Sequence, residues 1–145
     1  MQLSRHFSQE QFEFSQTAER LNISNKMNSE QCSDAVLLCN NTLEPIFNKI
    51  CNFSIDSGYR CPELNQKIGG VLKPISQHTE GKAADLLPRN MSLYDFMDRI
   101  RKSNIPFDQL ILEFSWVHIS YNGSQNRRQV LKALHSGSST IYQNL

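Results

Sequence analysis

Two histidines and an aspartate carry the most distinctive chemistry in this sequence. The segment Ser76-Gln77-His78-Thr79-Glu80-Gly81-Lys82-Ala83-Ala84-Asp85 reads S-x-H-x-x-G-x-A-x-D, and His118 lies in Trp116-Val117-His118-Ile119-Ser120. Two imidazoles and one carboxylate form a three-ligand set that leaves a coordination position open for water, as catalytic zinc sites do and structural ones do not. The same donors also accept other divalent metals. Taken singly each residue says little, since a lone strand histidine is more often packed or hydrogen-bonded, and a lone aspartate more often belongs to a turn. Their ordered spacing is what makes them a candidate site.

The elements that must position these residues can be read from periodicity. Ser8 with Gln11 resembles a capping box and predicts a short helix over 9–15. From Ser29 or Glu30, apolar Cys32, Val36, Cys39, Leu43, Ile46, Phe47 and Ile50 recur at spacings of three and four, which predicts a long amphipathic helix. Pro45 lies inside it and should kink or divide it. A short strand is expected over 52–56, and a helix from Pro62 to about Ile68, stopped by Gly69-Gly70. Residues 71–81 show no period and read as a loop, followed by a buried strand over 83–87. Ser92 and Asp95 cap a helix with Leu93, Phe96, Met97 and Ile100 on one face, ending near Asn104. Runs over 109–113 and 116–121, separated by Phe114 and Ser115, predict an antiparallel hairpin. Runs over 130–134 and 140–142 allow a second hairpin around Ser136-Gly137-Ser138, although the first of them could also be helical. The expected fold class is α+β, with packed helices and a small, mainly antiparallel sheet in one domain over 1–145.

Composition excludes several alternatives. The 145 residues fall in the size range of one domain, which should bury roughly 70% of its unfolded surface without staples. Charged residues make up 20% and the formal net charge is +1, so neither a nucleic-acid footprint nor strong membrane attraction is indicated. The first residues lack the apolar core of a secretory signal, and no stretch of about 18 apolar residues predicts membrane insertion. Synthesis in a cytoplasm without a signal peptide is the expectation. Cys32, Cys39, Cys51 and Cys61 lack C-x-x-C spacing and read as free thiols, the first two as small buried hydrophobes. His6 and His135 fall outside the pattern and read as surface or packing residues. Gly69-Gly70 lacks the later glycine and lysine of a phosphate loop.

Three stretches together resemble the zinc D-alanyl-D-alanine peptidase family, whose members include carboxypeptidases, dipeptidases and phage endolysins and whose fold is shared with the hedgehog signalling domain. They are Ser57-Gly58-Tyr59-Arg60-Cys61-Pro62-Glu63-Leu64-Asn65, the Ser76 to Asp85 motif, and Trp116-Val117-His118-Ile119-Ser120. The resemblance implies that His78, Asp85 and His118 bind one zinc ion. It also implies that Arg60 stabilises the scissile carbonyl oxygen as charge develops, and that Ser76 lies against the substrate backbone. A guanidinium, with its fixed fork of donors, suits that oxyanion role.

The commonest form of that family places a glutamate three residues before the last histidine, where this chain has Ser115. The nearest acidic residue is Glu113. With Phe114 and Ser115 as the turn, Glu113 pairs with Trp116 and Ile111 with His118, and alternation puts Ile111 and Glu113 on one face. Glu113 then faces the same side as His118 and is the expected general base, with Asp108 a weaker substitute.

The resemblance therefore implies a zinc peptidase acting on peptidoglycan stem peptides or cross-links. An endopeptidase of a phage or prophage lysis system, acting on the periplasmic or extracellular wall, is the leading expectation. A D,D-carboxypeptidase or dipeptidase on small D-alanine peptides is the first alternative, and a non-catalytic zinc or wall-binding module, such as a virion component, is the second. No sequence feature fixes the oligomeric state; a monomer is favoured.

Overall fold

The computed structural model describes residues 1–69 and 75–145. Helices α1 (Gln9–Glu13), α2 (Gln16–Arg20), α3 (Ser29–Leu38) and α4 (Glu44–Lys49) come first, followed by β1 (Phe53–Ser57), α5 (Pro62–Lys67), β2 (Ala83–Pro88), α6 (Leu93–Lys102) and strands β3 (Gln109–Leu112), β4 (Val117–Ser120), β5 (Gln129–Ser136) and β6 (Ser139–Asn144). The expected α+β class is found.

Local chemistry accounts for most boundaries. Ser8 accepts from the Gln11 amide while the Gln11 side chain reaches back to Ser8, so the capping box forms and starts α1. The helix ends at Glu13 rather than extending to Ser15, because Ser15 caps α2, a short helix that sequence periodicity does not predict. Asn28 makes a second capping box with Gln31 at the start of α3. Pro45 divides the long helix through a π-helical turn, Cys39–Leu43, in which the Glu44 amide bonds to the Cys39 carbonyl. Widening the turn just before Pro45 accommodates a residue that cannot donate and whose ring crowds the carbonyl four residues earlier. Pro62 opens α5, and Gly69 leaves it with φ +79°. Gly70 and the first part of the loop expected over 71–81 lie outside the described residues. The last part corrects that expectation, since Gln77–Glu80 is a turn of 3-10 helix capped by Ser76.

The six strands form one sheet in the order β1-β2-β4-β3-β5-β6. Every neighbouring pair is antiparallel except β3 and β5. The 130–134 run is strand, and it hairpins with β6 through Gly137 at φ +60°. Leu110, Leu112, Val117, Ile119, Ala84 and Leu86 are buried on one face of the sheet, in the same core as Phe96, Met97 and Ile100 of α6 and Leu38, Leu43 and Ile46. Each fully buried large apolar side chain contributes roughly 1.5–3 kcal/mol, so this face anchors the strands. All four cysteines are free thiols, with Cys32 and Cys39 in the core. Burial pushes the Cys39 thiol up to about 12, which keeps it protonated. His6 stacks on Phe47 at 4.4 Å and meets Glu44 at 2.6 Å, and His135 stacks on Phe114 at 4.0 Å.

Candidate metal centre

The opposite face of the sheet mixes polar and apolar side chains and opens into a cleft of about 980 Å³. Successive pairings place Ser57, Asp85, His118, Ile111, Leu131 and Asn144 in one row across all six strands. Residues paired across a sheet point to the same side, so strand register alone sets Asp85 beside His118. His78 comes from the 3-10 turn that precedes β2.

Two hydrogen bonds tie that turn to the segment before α5. The Arg60 amide donates to the His78 carbonyl at 3.1 Å, and His78 Nδ1 donates to the Gly58 carbonyl at 2.7 Å. Two of the sequence motifs are thereby tied together. The turn ends at Gly81, with φ +77°, where an added Cβ would lie 2.5 Å from the Gln31 carbonyl oxygen. Only glycine fits there, for reasons of both conformation and space. Gly58 is similarly pressed, its missing Cβ falling 2.9 Å from the Phe12 backbone. Asn25 clamps the neighbouring segment by accepting from the Cys61 amide and donating to the Tyr59 carbonyl.

The donor atoms of His78, Asp85 and His118 all lie within 4.8 Å of one another. Asp85 Oδ1 is 3.2 Å from His78 Nε2 and 3.1 Å from His118 Nδ1. A tetrahedral ion with bonds of about 2.0–2.1 Å separates its ligands by roughly 3.3 Å, so these spacings fit one. The protonation pattern points the same way. A carbonyl can only accept, so His78 Nδ1 carries the proton and Nε2 presents a lone pair. That Nε2 is buried without a hydrogen-bond partner, although it faces a carboxylate oxygen at contact distance. Two electron-rich atoms held that close call for a cation between them. Burial holds His78 below the ordinary imidazole range and so keeps the ring neutral, against the pull of Asp85. Burial would raise Asp85, but the two histidines override it and hold the carboxyl well below the usual carboxylate range.

Glu113, Arg60 and Ser76 also line this cleft. The hairpin register is the one expected from the sequence, with Ile111 opposite His118 and the Glu113 amide bonded to the Trp116 carbonyl at 3.0 Å. Glu113 is half-buried, and burial pushes its carboxyl up, offset in part by His118. Arg60 Nε is enclosed without a hydrogen-bond partner, and burial lowers its pKa against the opposing effect of Asp85. The Ser76 hydroxyl accepts from the His78 amide at 3.3 Å and so helps shape the turn that carries the histidine.

Asp108, the weaker substitute for Glu113, is fully occupied. Its Oδ1 accepts from the Arg127 amide and Nε, and its Oδ2 from Arg127 Nη2 and Gln77 Nε2, at 2.7–3.0 Å. Burial would raise Asp108, but Arg127 overrides it and lowers the pKa, so this carboxylate braces the His78 turn against the segment after β4. Sequence reasoning gave Asp108 no structural role. It also missed Tyr142, whose hydroxyl donates to Glu113 Oε1 at 3.3 Å. No local signal marks that tyrosine, because the pairing of β5 with β3 that brings it to the cleft is non-local.

A family model described as Peptidase M15 matches residues 5–120. The match takes in the motif glycines, the three candidate ligands, Arg60, Ser76 and Glu113, and it ends before β5. Comparison with curated proteins gives no match.

Proposed function

The chain belongs to the peptidase M15 family of zinc-dependent peptidases, and from that premise we propose that it hydrolyses a peptide bond in peptidoglycan cross-links, with residues 1–145 acting as one domain. His78, Asp85 and His118 would hold one zinc ion. The observation that carries this reading is the buried, proton-free Nε2 of His78 facing Asp85 Oδ1 at 3.2 Å. When bound, the ion supplies Lewis acidity that polarises the scissile carbonyl and acidifies the attacking water.

The chain's own groups supply the remaining steps. Glu113 accepts the proton of the attacking water at its carboxylate and later passes it to the leaving amine. A carboxyl raised by burial is a stronger base than an exposed one, which suits that task. Arg60 donates to the oxyanion from a half-buried position, where its charge is poorly screened. Ser76, at the cleft wall beside His78, contacts the substrate backbone.

The cleft reaches from Asp56 and Ser57 on β1 to Tyr142 on β6. A trough spanning the whole sheet suits two peptide chains joined by a cross-link better than the enclosed pocket expected for a small carboxypeptidase substrate. Among the described residues no helix is long and apolar enough to cross a membrane. A lysis enzyme of phage or prophage type, working as a monomer on the wall, completes the proposal.

The test is to incubate the purified protein with peptidoglycan, with and without a chelator, and to identify the products by mass spectrometry. Chelator-sensitive loss of cross-linked dimers without free D-alanine is expected. Release of free D-alanine would move the assignment to a carboxypeptidase, and the absence of any chelator-sensitive product would leave a binding module. Glu113→Ala should retain zinc while cleavage falls by roughly 10²–10⁴-fold; retained cleavage would remove Glu113 from the mechanism.

A further inference from the structure

Glu113 is the residue that follows β3, one step past the last pair that β3 makes with β5. Leu112 pairs with Lys132 in the parallel β3–β5 ladder, and one further step along both strands takes Glu113 to the level of Ala133. Ala133 in turn pairs with Tyr142. Strand alternation puts Ile111, Glu113, Leu131, Ala133 and Tyr142 on the cleft side, and Glu113, Ile111, Leu131 and Tyr142 do line the cleft. Glu113 and Tyr142 thus belong to one row of the sheet with a single strand between them, a separation of about 10 Å at the backbone.

The residue between them decides whether their side chains meet. Ala133 projects only a methyl group and is 4% exposed. Tyr142 spans it, and its hydroxyl donates to Glu113 Oε1 at 3.3 Å. Among the described residues this is the one hydrogen bond made to the Glu113 carboxylate. At that length it directs the carboxylate rather than locking it, since O–H···O bonds centre near 2.7–2.8 Å, and such contacts tighten when substrate closes the site.

We propose that Tyr142 is a positioning residue for Glu113, aiming the carboxylate along the cleft face toward His118 and Asp85. The inference rests on Glu113 being the base. A hydroxyl donor favours the ionised carboxylate, so Tyr142 also opposes the effect of burial on Glu113. Because β6 lies outside the matched residues 5–120, this function is supplied by the part of the chain that the family model does not describe.

The test measures the hydrolysis of cross-linked muropeptides, released from purified peptidoglycan by a muramidase, across substrate concentration and pH. Tyr142→Phe keeps the ring and loses only the donor. It should lower kcat about tenfold, leave KM within about twofold, and move the acid limb of kcat/KM to higher pH, with zinc content and Tm unchanged. A wild-type kcat with an unmoved acid limb overturns the proposal. Glu113→Gln is measured alongside. An inactive Glu113→Gln with a fully active Tyr142→Phe overturns the positioning role alone. An active Glu113→Gln overturns both the base assignment and this inference, as would an unaltered protein that cleaves nothing.

Discussion

The two faces of the central sheet are made by the same strands, and residues that alternate along each strand meet opposite fates. Ala84, Leu86, Leu110, Leu112, Val117 and Ile119 turn toward the helices and are buried in the main core. Asp85, Ile111, Glu113 and His118 turn the other way and line the cleft. Removing atoms from the core face leaves a void in close-packed material. On the cleft face, His78, Asp85 and His118 converge, with Asp85 Oδ1 3.2 Å from His78 Nε2 and 3.1 Å from His118 Nδ1. The pleat thus separates the groups that stabilise the fold from the candidate ligands and base. A register slip of one residue would exchange the two sets, so the register that the core fixes also fixes which side chains face the cleft.

That comparison can be broken from either side. The largest effect should come from Asp85→Ala, which removes the candidate ligand whose carboxylate faces both histidines. Zinc content should fall to background and cleavage by at least about a thousandfold, because the polarising ion contributes several kcal/mol to the transition state. Metal analysis and product formation would check this, and full zinc occupancy in the variant would break the assignment.

Leu110→Ala on the opposite face should cost about 2–5 kcal/mol of stability. Its kcat should stay near that of the unaltered protein as long as it is folded, which denaturant melts and rates at low temperature would establish. A large loss of kcat in folded protein would show that the two faces are not independent.

Gly81→Ala tests the junction between them, since the added methyl would meet the Gln31 carbonyl at a positive φ. A destabilisation of roughly 1–3 kcal/mol is expected, with weaker zinc binding because the His78 turn must shift.

The smallest effect concerns Glu113 and its pH dependence. Its folded pKa is raised, so its ionised form is disfavoured by folding, and the resulting instability is present once the pH exceeds that raised value. Glu113→Gln should therefore raise stability slightly at neutral pH, by less than about 1 kcal/mol for a half-exposed group. The same raised pKa places the acid limb of the unaltered enzyme above the ordinary glutamate value near 4.3. A melt across pH and a pH–rate profile would reveal both.

Much of the site was legible because its spacing is local. Gly81 follows His78 by three residues, and Asp85 lies two residues into a strand that starts at Ala83, so loop, turn and strand can be read from one short segment. The facing of Glu113 and His118 was legible for the same reason: a two-residue turn fixes a hairpin's register. Capping residues at Ser8 and Ser92 acted as local signals too. The division of the long helix at Pro45 could be anticipated, but its form as a π turn could not, because that depends on how the chain repacks around it.

The sequence by itself determined the residue types at the candidate metal centre, the α+β class and the orientation of Glu113, since each follows from side-chain chemistry or from contacts between near neighbours in the chain. Only the tertiary structure decided that β5 lies parallel to β3, that Asp108 is bound up with Arg127 and Gln77, and that Tyr142 reaches Glu113 across Ala133. Those outcomes depend on which distant strands share an edge, and that choice is made by the whole core at once.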